Sequence, residues 1–197
     1  MEEGKVSVDG VTYALPEPFM VIATQNPFGS VGTQKLPESQ MDRFMIRVTM
    51  GYPSVEDEVS IMKSKTGGLS NRVLSKNVIN AQDFMAMRDI VDEVYVDDSI
   101  YEYVAKIVAK TRDSEDILQG ISPRGSISII NMAKAEAFLR GHDYVLPSDI
   151  QFVLNDTMAH RIILNRSLKR GHITEESVID SICRSVDVPK IGTRGIL

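Results

Sequence analysis

The sequence has little of several residue types, and each shortage excludes a class of protein. Its 197 residues include one cysteine, Cys183, and no tryptophan. A single cysteine cannot form an internal disulfide, so a secreted disulfide scaffold is excluded and a reducing cytoplasm is the expected location. No apolar run approaches the roughly 18 residues needed to span a bilayer, and the amino terminus shows no signal peptide, so we expect no membrane segment.

The balance of charge is negative, and histidine and cysteine are few. The formal net charge is -5, which argues against tight binding to nucleic acid, because phosphate contacts need clustered positive charge. One basic cluster consists of Arg161, Arg166, Lys169, Arg170 and His172. Because it lacks interleaved aromatic residues, we interpret it as cations stabilised near a helix end. The three histidines lack metal-ligand spacing and Cys183 has no cysteine partner, so we expect no metal site formed by this chain alone.

The first 50 residues predict an α/β segment. Residues 5–14 alternate around Asp9-Gly10, which is a strong signal for a hairpin. Residues 19–23 form an apolar run that predicts a buried strand, and the polar stretch that ends this run contains Asn26. The amide of Asn26 is thereby expected at the carboxyl edge of a strand, where open α/β sheets bind ligands.

A second informative stretch covers residues 36–48. It predicts an acidic, proline-opened helical turn that ends at Asp42-Arg43, directly before a strand-like run at residues 44–48. An arginine in this position can face a neighbouring molecule. The simpler interpretation is a solvated charge, or an ion pair in which Asp42 restrains Arg43.

Beyond residue 50 the periodicity becomes helical, and we place a domain boundary there. Ser54, followed by three acidic residues, predicts an N-capped helix. Ser122-Pro123 predicts another helix, with proline at its first position. Residues 66–76 predict a loop, and residues 189–197 a frayed tail. The apolar stripes of the predicted helices are Val55, Val59 and Met62; Phe84, Met87, Ile90, Val91 and Val94; Ile100, Tyr103, Val104, Ile107 and Val108; Ile127, Ile130, Ala133, Ala137 and Phe138; Ile150, Val153, Leu154 and Met158; and Val178, Ile179, Ile182 and Val186.

Six short motifs carry a resemblance to a known family. They are Ala-Thr-Gln-Asn-Pro at 23–27, Leu-Pro-Glu-Ser-Gln-Met-Asp-Arg-Phe at 36–44, Gly-Tyr-Pro at 51–53, Ser-Pro-Arg at 122–124, Arg-Gly-His-Asp-Tyr-Val-Leu-Pro-Ser-Asp-Ile at 140–150 and His-Arg-Ile-Ile-Leu at 160–164. In this order they closely resemble the MoxR family of AAA+ ATPases. The resemblance implies the carboxyl-terminal part of a P-loop ATPase core at residues 1–50, followed by an all-α helical lid domain at residues 51–197.

The resemblance also implies roles for three residues. Asn26 resembles the sensor 1 residue, which helps orient the water that attacks the γ-phosphate, and Arg43 resembles the arginine finger supplied to the adjacent subunit. Arg124 resembles the sensor 2 arginine at the start of a lid helix, acting in its own subunit or across the interface. Phosphoryl transfer depends mostly on positioning and charge stabilisation, for which an amide and guanidinium groups are suited. Taken alone, Asn26 would be a strand-ending turn residue and Arg124 an exposed charge.

Two motifs of an intact ATPase core are missing from the sequence. No GxxxxGK[ST] loop and no apolar strand ending in Asp-Glu precedes Asn26. ATP and Mg²⁺ are therefore implied as cofactors of an intact protein, whereas this chain alone is predicted neither to bind ATP tightly nor to hydrolyse it. Residues 1–50 would also lack strand partners, and we predict that deleting them improves solubility.

For the intact protein, the resemblance implies ATP hydrolysis in a homo-oligomeric, hexameric ring that remodels or matures a client protein. Such chaperone-like activity extends to metal-cofactor insertion and often involves partners with von Willebrand factor A domains. Two other classes stay open. One is a non-catalytic lid fragment that serves as an interaction module, and the other is a relative of MCM-type nucleic-acid motors or of magnesium chelatase subunits.

Overall fold

Helices dominate the secondary structure, and short strands occur in two places. The computed structural model describes residues 4–25, 36–66, 78–165 and 173–190. In chain order the elements are β1 Lys5–Val8, β2 Val11–Ala14, α1 Glu38–Met41, α2 Val55–Thr66, α3 Ala81–Glu93, α4 Asp98–Asp113, β3 Ile117–Gln119, α5 Pro123–Leu139, α6 Pro147–Met158, β4 Ile163–Leu164 and α7 Glu175–Arg184. Within these four ranges, no helix combines the length and the apolar composition that crossing a bilayer requires.

The predicted hairpin is confirmed. β1 and β2 pair in antiparallel fashion, with Val8 opposite Val11. The two loop residues, Asp9 and Gly10, have φ values of 51° and 80°, and positive φ at both positions is what a type I′ hairpin loop requires. Every residue of both strands is exposed, so the hairpin contributes no buried side chain to the described chain.

Two further predicted strands do not form. Residues 19–25 and 44–48 belong to no strand, and Ile22, which the sequence predicts to be buried, is 82% exposed. A strand is defined by hydrogen bonds to a neighbouring strand, and no strand of the described chain pairs with either segment. The prediction of a buried strand at residues 19–23 is therefore wrong for the described residues, because an apolar run does not itself supply a pairing partner.

The starts of α2 and α3 are capped, but their apolar faces are not buried. Ser54 Oγ accepts from the Asp57 N–H at 3.1 Å, which confirms the predicted N-cap. Asn80 and Asp83 form a capping box at the start of α3. The stripes predicted for both helices are largely exposed, with Val55 at 74%. Local capping sets where these helices begin, whereas the described elements leave their apolar faces mostly uncovered.

The hydrophobic core lies among α4, α5, α6 and α7. The stripes predicted for α4, α6 and α7 are confirmed, since all their members are buried. In α5 the predicted stripe is partly wrong, because Ile127 is exposed whereas Ile129 is fully buried. The small residues Ala133 and Ala137 are also buried on this face, which allows α5 to pack extensively against α6.

Two short backbone pairings hold the loops of the helical region. Tyr95 and Tyr144 form a bridge, in which the Tyr95 N–H donates to Asp143 O and the Val145 N–H donates to Tyr95 O, each at 2.9 Å. β3 pairs with β4 in antiparallel fashion. The loop at residues 159–162 begins at the end of α6 and ends at β4, which is held by β3. This loop carries the site described next.

Candidate functional site

The structure places two of the three predicted site residues on elements that meet. Asn26 lies outside the described residues. Arg43 lies two residues after the end of α1 and is exposed. Its side chain forms no hydrogen bond or ion pair with the part of the chain that the structure describes. Arg124 is the second residue of α5, after Pro123 at the first position as predicted.

Asp42 connects the turn that carries Arg43 (residues 42–47, called the Arg43 turn) to the start of α5. Its carboxylate accepts hydrogen bonds from Ser122 Oγ at 3.1 and 3.0 Å and from Arg161 Nε at 3.2 Å. Arg124 Nη1 lies 3.7 Å from Asp42 Oδ2. The interpretation that Asp42 restrains Arg43 is wrong, because the carboxylate binds these three side chains instead.

Ser122 makes this contact in place of the usual capping hydrogen bond. It is the N-cap residue of α5, but its side chain does not cap the helix, because the hydroxyl donates to Asp42. The first turn of a helix has unsatisfied N–H groups and a partial positive charge, which favours a nearby carboxylate. The position of Asp42 is therefore stabilised by the end of α5 as well as by two arginines.

Arg161 has more hydrogen-bond partners than the other side chains of this site. Its side chain is 1% exposed. The guanidinium donates to the backbone oxygens of Asp42 at 3.2 Å, Phe44 at 2.8 Å and Met45 at 3.1 Å. It also donates to Ser128 Oγ at 3.0 Å and to Thr157 O. Together with the bond to the Asp42 carboxylate, these contacts join the Arg43 turn to α5 and α6.

This role of Arg161 is not predicted from the sequence. Its sequence context predicts a cation at a helix end, whereas the structure buries the side chain; the other members of that cluster lie outside the described residues. Arg161 is followed by the apolar residues Ile162 and Leu164, which are both buried. This pattern alone does not reveal the role, because arginines are mostly exposed and are almost never fully buried unless they are paired.

Burial and close packing determine the chemistry of the Arg161 guanidinium. Burial lowers the pKa of Arg161 from its ordinary value, and the neighbouring Asp42 carboxylate acts in the opposite direction. An arginine remains charged throughout the physiological range, so the group acts as a fixed cation. Gly125 in α5 leaves space for it: a Cβ there would lie 3.2 Å from Arg161 Cδ and would overlap Ile121 Cγ2.

Two further contacts attach the Arg43 turn to the helical region. His160 Nε2 lies 2.9 Å from Phe44 O, and burial lowers the pKa of His160 to about 4. The neutral ring therefore donates from Nε2 to this carbonyl. The Arg47 N–H donates to Asp156 O at 2.8 Å, and its guanidinium pairs with Glu176 at 2.8 Å. The turn is thus bound at its beginning, middle and end.

Comparisons with known proteins identify relatives of the whole chain. The family model described as an AAA lid domain matches residues 109–182. The one described as "ATPase family associated with various cellular activities" matches residues 1–46. The uncharacterised YeaC protein of Bacillus subtilis is 42% identical over 189 residues, and chaperone MoxR1 of Mycobacterium tuberculosis is 34% identical over 200 residues. The chain belongs to the MoxR family of AAA+ ATPases.

The fold of this MoxR-family chain is that of a solved relative. It is similar to the crystal structure of a candidate ATPase from Cytophaga hutchinsonii, with a TM-score of 0.86 and 33% identity over 96% of this chain and 60% of the other. The YeaC and MoxR1 matches cover 96% and 97% of this chain but 59% and 52% of those proteins. The chain therefore spans between about half and three fifths of the length of these relatives.

The described residues of this MoxR-family chain fit only part of a site for ATP and Mg²⁺. Arg43 and Arg124 are suited to donate to phosphate oxygens. The cavity beside α1, which is lined in part by Met41, Arg47 and His160, measures about 210 Å³ and is smaller than the roughly 300–1,000 Å³ of typical ligand pockets. No cluster of metal-ligating side chains occurs within the four described ranges. Arg43 and Arg124 are therefore suited to donate hydrogen bonds to a phosphate group that other residues hold.

Proposed function

We propose that this chain is part of an AAA+ ATPase that couples ATP hydrolysis to the remodelling or maturation of a partner protein. The observation that carries the proposal is the junction at Asp42. It binds the turn carrying Arg43 to the start of α5, which carries Arg124. A guanidinium presented on an exposed turn is suited to stabilise charge on a phosphate of a neighbouring molecule, and such a finger contributes roughly 10³ to 10⁵ in rate to GTPases.

Each predicted site residue has one role in this proposal. Asn26 is the sensor 1 amide that orients the attacking water, Arg43 is the arginine finger supplied to the adjacent subunit, and Arg124 is the sensor 2 arginine that contacts nucleotide. The exposed position of Arg43 supports the second role. The position of Arg124 in the first turn of α5 supports the third, since this end of a helix favours anions.

We place the proposed domain boundary after residue 50. Residues 1–50 form the carboxyl-terminal part of the ATPase core, and residues 51–197 form the lid domain. The family-model matches at residues 1–46 and 109–182 support this division. Because the sequence contains no GxxxxGK[ST] loop, the groups that hold ATP and Mg²⁺ are contributed by other residues of the intact protein, and this chain alone is inactive.

The proposed assembly is a hexameric, homo-oligomeric ring in the cytoplasm. An arginine finger acts across a subunit interface, so the role of Arg43 itself requires a neighbouring copy. The name of the M. tuberculosis relative, chaperone MoxR1, supports a client protein as the substrate of remodelling. Partners with von Willebrand factor A domains and insertion of a metal cofactor into the client complete the proposal.

Steady-state ATP hydrolysis tests this function. The 197-residue chain is assayed alone and mixed with the intact B. subtilis relative, with Arg43→Ala as the test variant and Arg88→Ala as the matched control. Arg88 is an exposed arginine on α3 that pairs with Glu17 at 3.7 Å. We expect no turnover by the chain alone. In the mixture we expect a change in the ATPase rate, which Arg43→Ala abolishes and Arg88→Ala leaves intact.

Two results would contradict the proposal. Sustained turnover by the purified chain would show that it contains a phosphate site of its own. No effect of the chain on the ATPase rate of the mixture would instead favour a non-catalytic interaction module.

A further inference from the structure

The Arg43 turn has no regular secondary structure to satisfy its backbone. Residues 42–47 lie in no helix or strand, so their carbonyl groups need donors from other parts of the chain. Arg161 supplies donors to the carbonyls of Asp42, Phe44 and Met45. One side chain therefore determines the path of three of the six turn residues.

The same guanidinium is fixed from the lid side. It donates to Ser128 Oγ on α5 and to Thr157 O on α6, and Gly125 leaves room for its aliphatic part. Arginine suits this position because it has five donors in a planar fork, whereas lysine has three donors around a single nitrogen. The geometry thus depends on an arginine and not only on a positive charge.

We propose that Arg161 is a positioning residue that fixes the Arg43 turn to the lid, so that Arg43 moves with the lid as one unit. The role of Arg43 rests on the proposed function, but the attachment itself does not. Because Asp42 binds both Arg161 and Arg124, a displacement of the start of α5 reaches Arg43 through a single residue. Lid movement in one subunit then changes the position of the finger that is offered to the next subunit.

Amide hydrogen exchange on the 197-residue chain tests the attachment without nucleotide. Arg161→Lys keeps the charge and removes the fork. We expect the amides of Phe44 and Arg47 to exchange on the order of 10-fold faster, since several charge-assisted bonds to the turn are lost. Amides in the middle of α4 and α7 are expected to change less than about 2-fold. The matched control is Arg140→Lys, because Arg140 contacts Glu136 and Asp149 within the helical region.

Unchanged exchange of the turn amides in Arg161→Lys would overturn the proposal. So would an equal acceleration in the turn and in α4, since Arg161 would then stabilise the fold as a whole. If Arg161→Lys does not fold, Ser128→Ala is the second variant, because it leaves Arg161 in place and removes one anchor on the lid side. It is expected to accelerate exchange in the turn in the same selective way, by a smaller factor, and no selective acceleration would overturn the proposal.

The mixed ATPase assay then separates positioning from stability. Arg161→Lys is expected to lower the kcat of the mixture towards the Arg43→Ala level while the KM for ATP stays constant. In the Arg43→Ala background it is expected to have no further effect. An additive loss would overturn the positioning role. If Arg43→Ala itself has no effect, the proposed function fails, and hydrogen exchange still decides whether Arg161 holds the turn.

Discussion

Mild acid is expected to destabilise the chain through His160, which holds the Arg43 turn at Phe44. Burial is the main reason that the pKa of His160 is lowered from 6.5 to about 4. The cations Arg161 and Arg47 lower it further, whereas the Phe44 carbonyl and Asp42 act in the opposite direction. Because the pKa is lower in the folded state, the unfolded chain binds the proton more readily. The contribution of His160 to stability is therefore fully present above pH 6.5 and is lost as the pH falls towards about 4.

The size of this effect follows from the difference between the two pKa values. The difference of about 2.5 units (6.5 minus 4), at about 1.36 kcal/mol per unit, gives an upper bound of about 3.4 kcal/mol. At pH 5 the same linkage gives about 2 kcal/mol. His160 is only partly buried, and solvent screening reduces the value. We therefore expect a loss of about 1–1.5 kcal/mol between pH 7.5 and pH 5.

Urea unfolding of the 197-residue chain at pH 7.5, 6 and 5 measures this loss. The test variant is His160→Gln, whose side-chain amide can still donate to Phe44 O but does not titrate in this range. His142→Gln is the control, since it removes a histidine of the α5–α6 loop instead. The wild type and the control are expected to lose about 1–1.5 kcal/mol more than His160→Gln. Parallel curves for the wild type and His160→Gln, or a wild type that becomes more stable in acid, would refute the reasoning.

Three further predictions concern the packing of α5 and the amino-terminal part of the chain. Gly125→Ala places a methyl group against Ile121 and Arg161. It is expected to lower the free energy of unfolding in urea by about 1–2 kcal/mol, after the gain in helix propensity. The control Gly51→Ala has open space around it and should change this free energy by less than about 0.5 kcal/mol, so equal effects would contradict the packing argument. Truncation to residues 36–197 is expected to improve solubility, as the deletion of residues 1–50 was predicted to do. Further truncation to residues 51–197 removes Asp42, Phe44 and Met45 from Arg161 and should lower stability by about 1.5–3 kcal/mol, so equal melting of the two truncated chains would count against the attachment.

The sequence predicts the helical region well because its information is local. The stripe from Ile100 to Val108 and the cap at Ser54 each depend on residues within a few turns, and both are found in the structure. The strand predicted at residues 19–23 depends on a partner elsewhere, so no local pattern could ensure it. The bond from Arg161 to Asp42 spans 119 positions and has no periodicity that reveals it. The placement of Arg124 in the first turn of α5 follows from a local pattern, but the contact that links it to the Arg43 turn could not be predicted.

The two arginines that contact Asp42 differ in burial and in the strength of their contacts. Arg161 is almost fully buried and bonded to several backbone oxygens, so releasing it would leave a buried charge and several carbonyl groups unsatisfied. Arg124 has a side chain that is 40% exposed and a longer contact of 3.7 Å, so its ion pair with Asp42 contributes little to stability. The ion pair itself therefore offers little resistance to a phosphate group that would bind Arg124, while Arg161 keeps the Arg43 turn in place. The Asp42 carboxylate therefore forms a weak contact with Arg124 and a strong contact with Arg161.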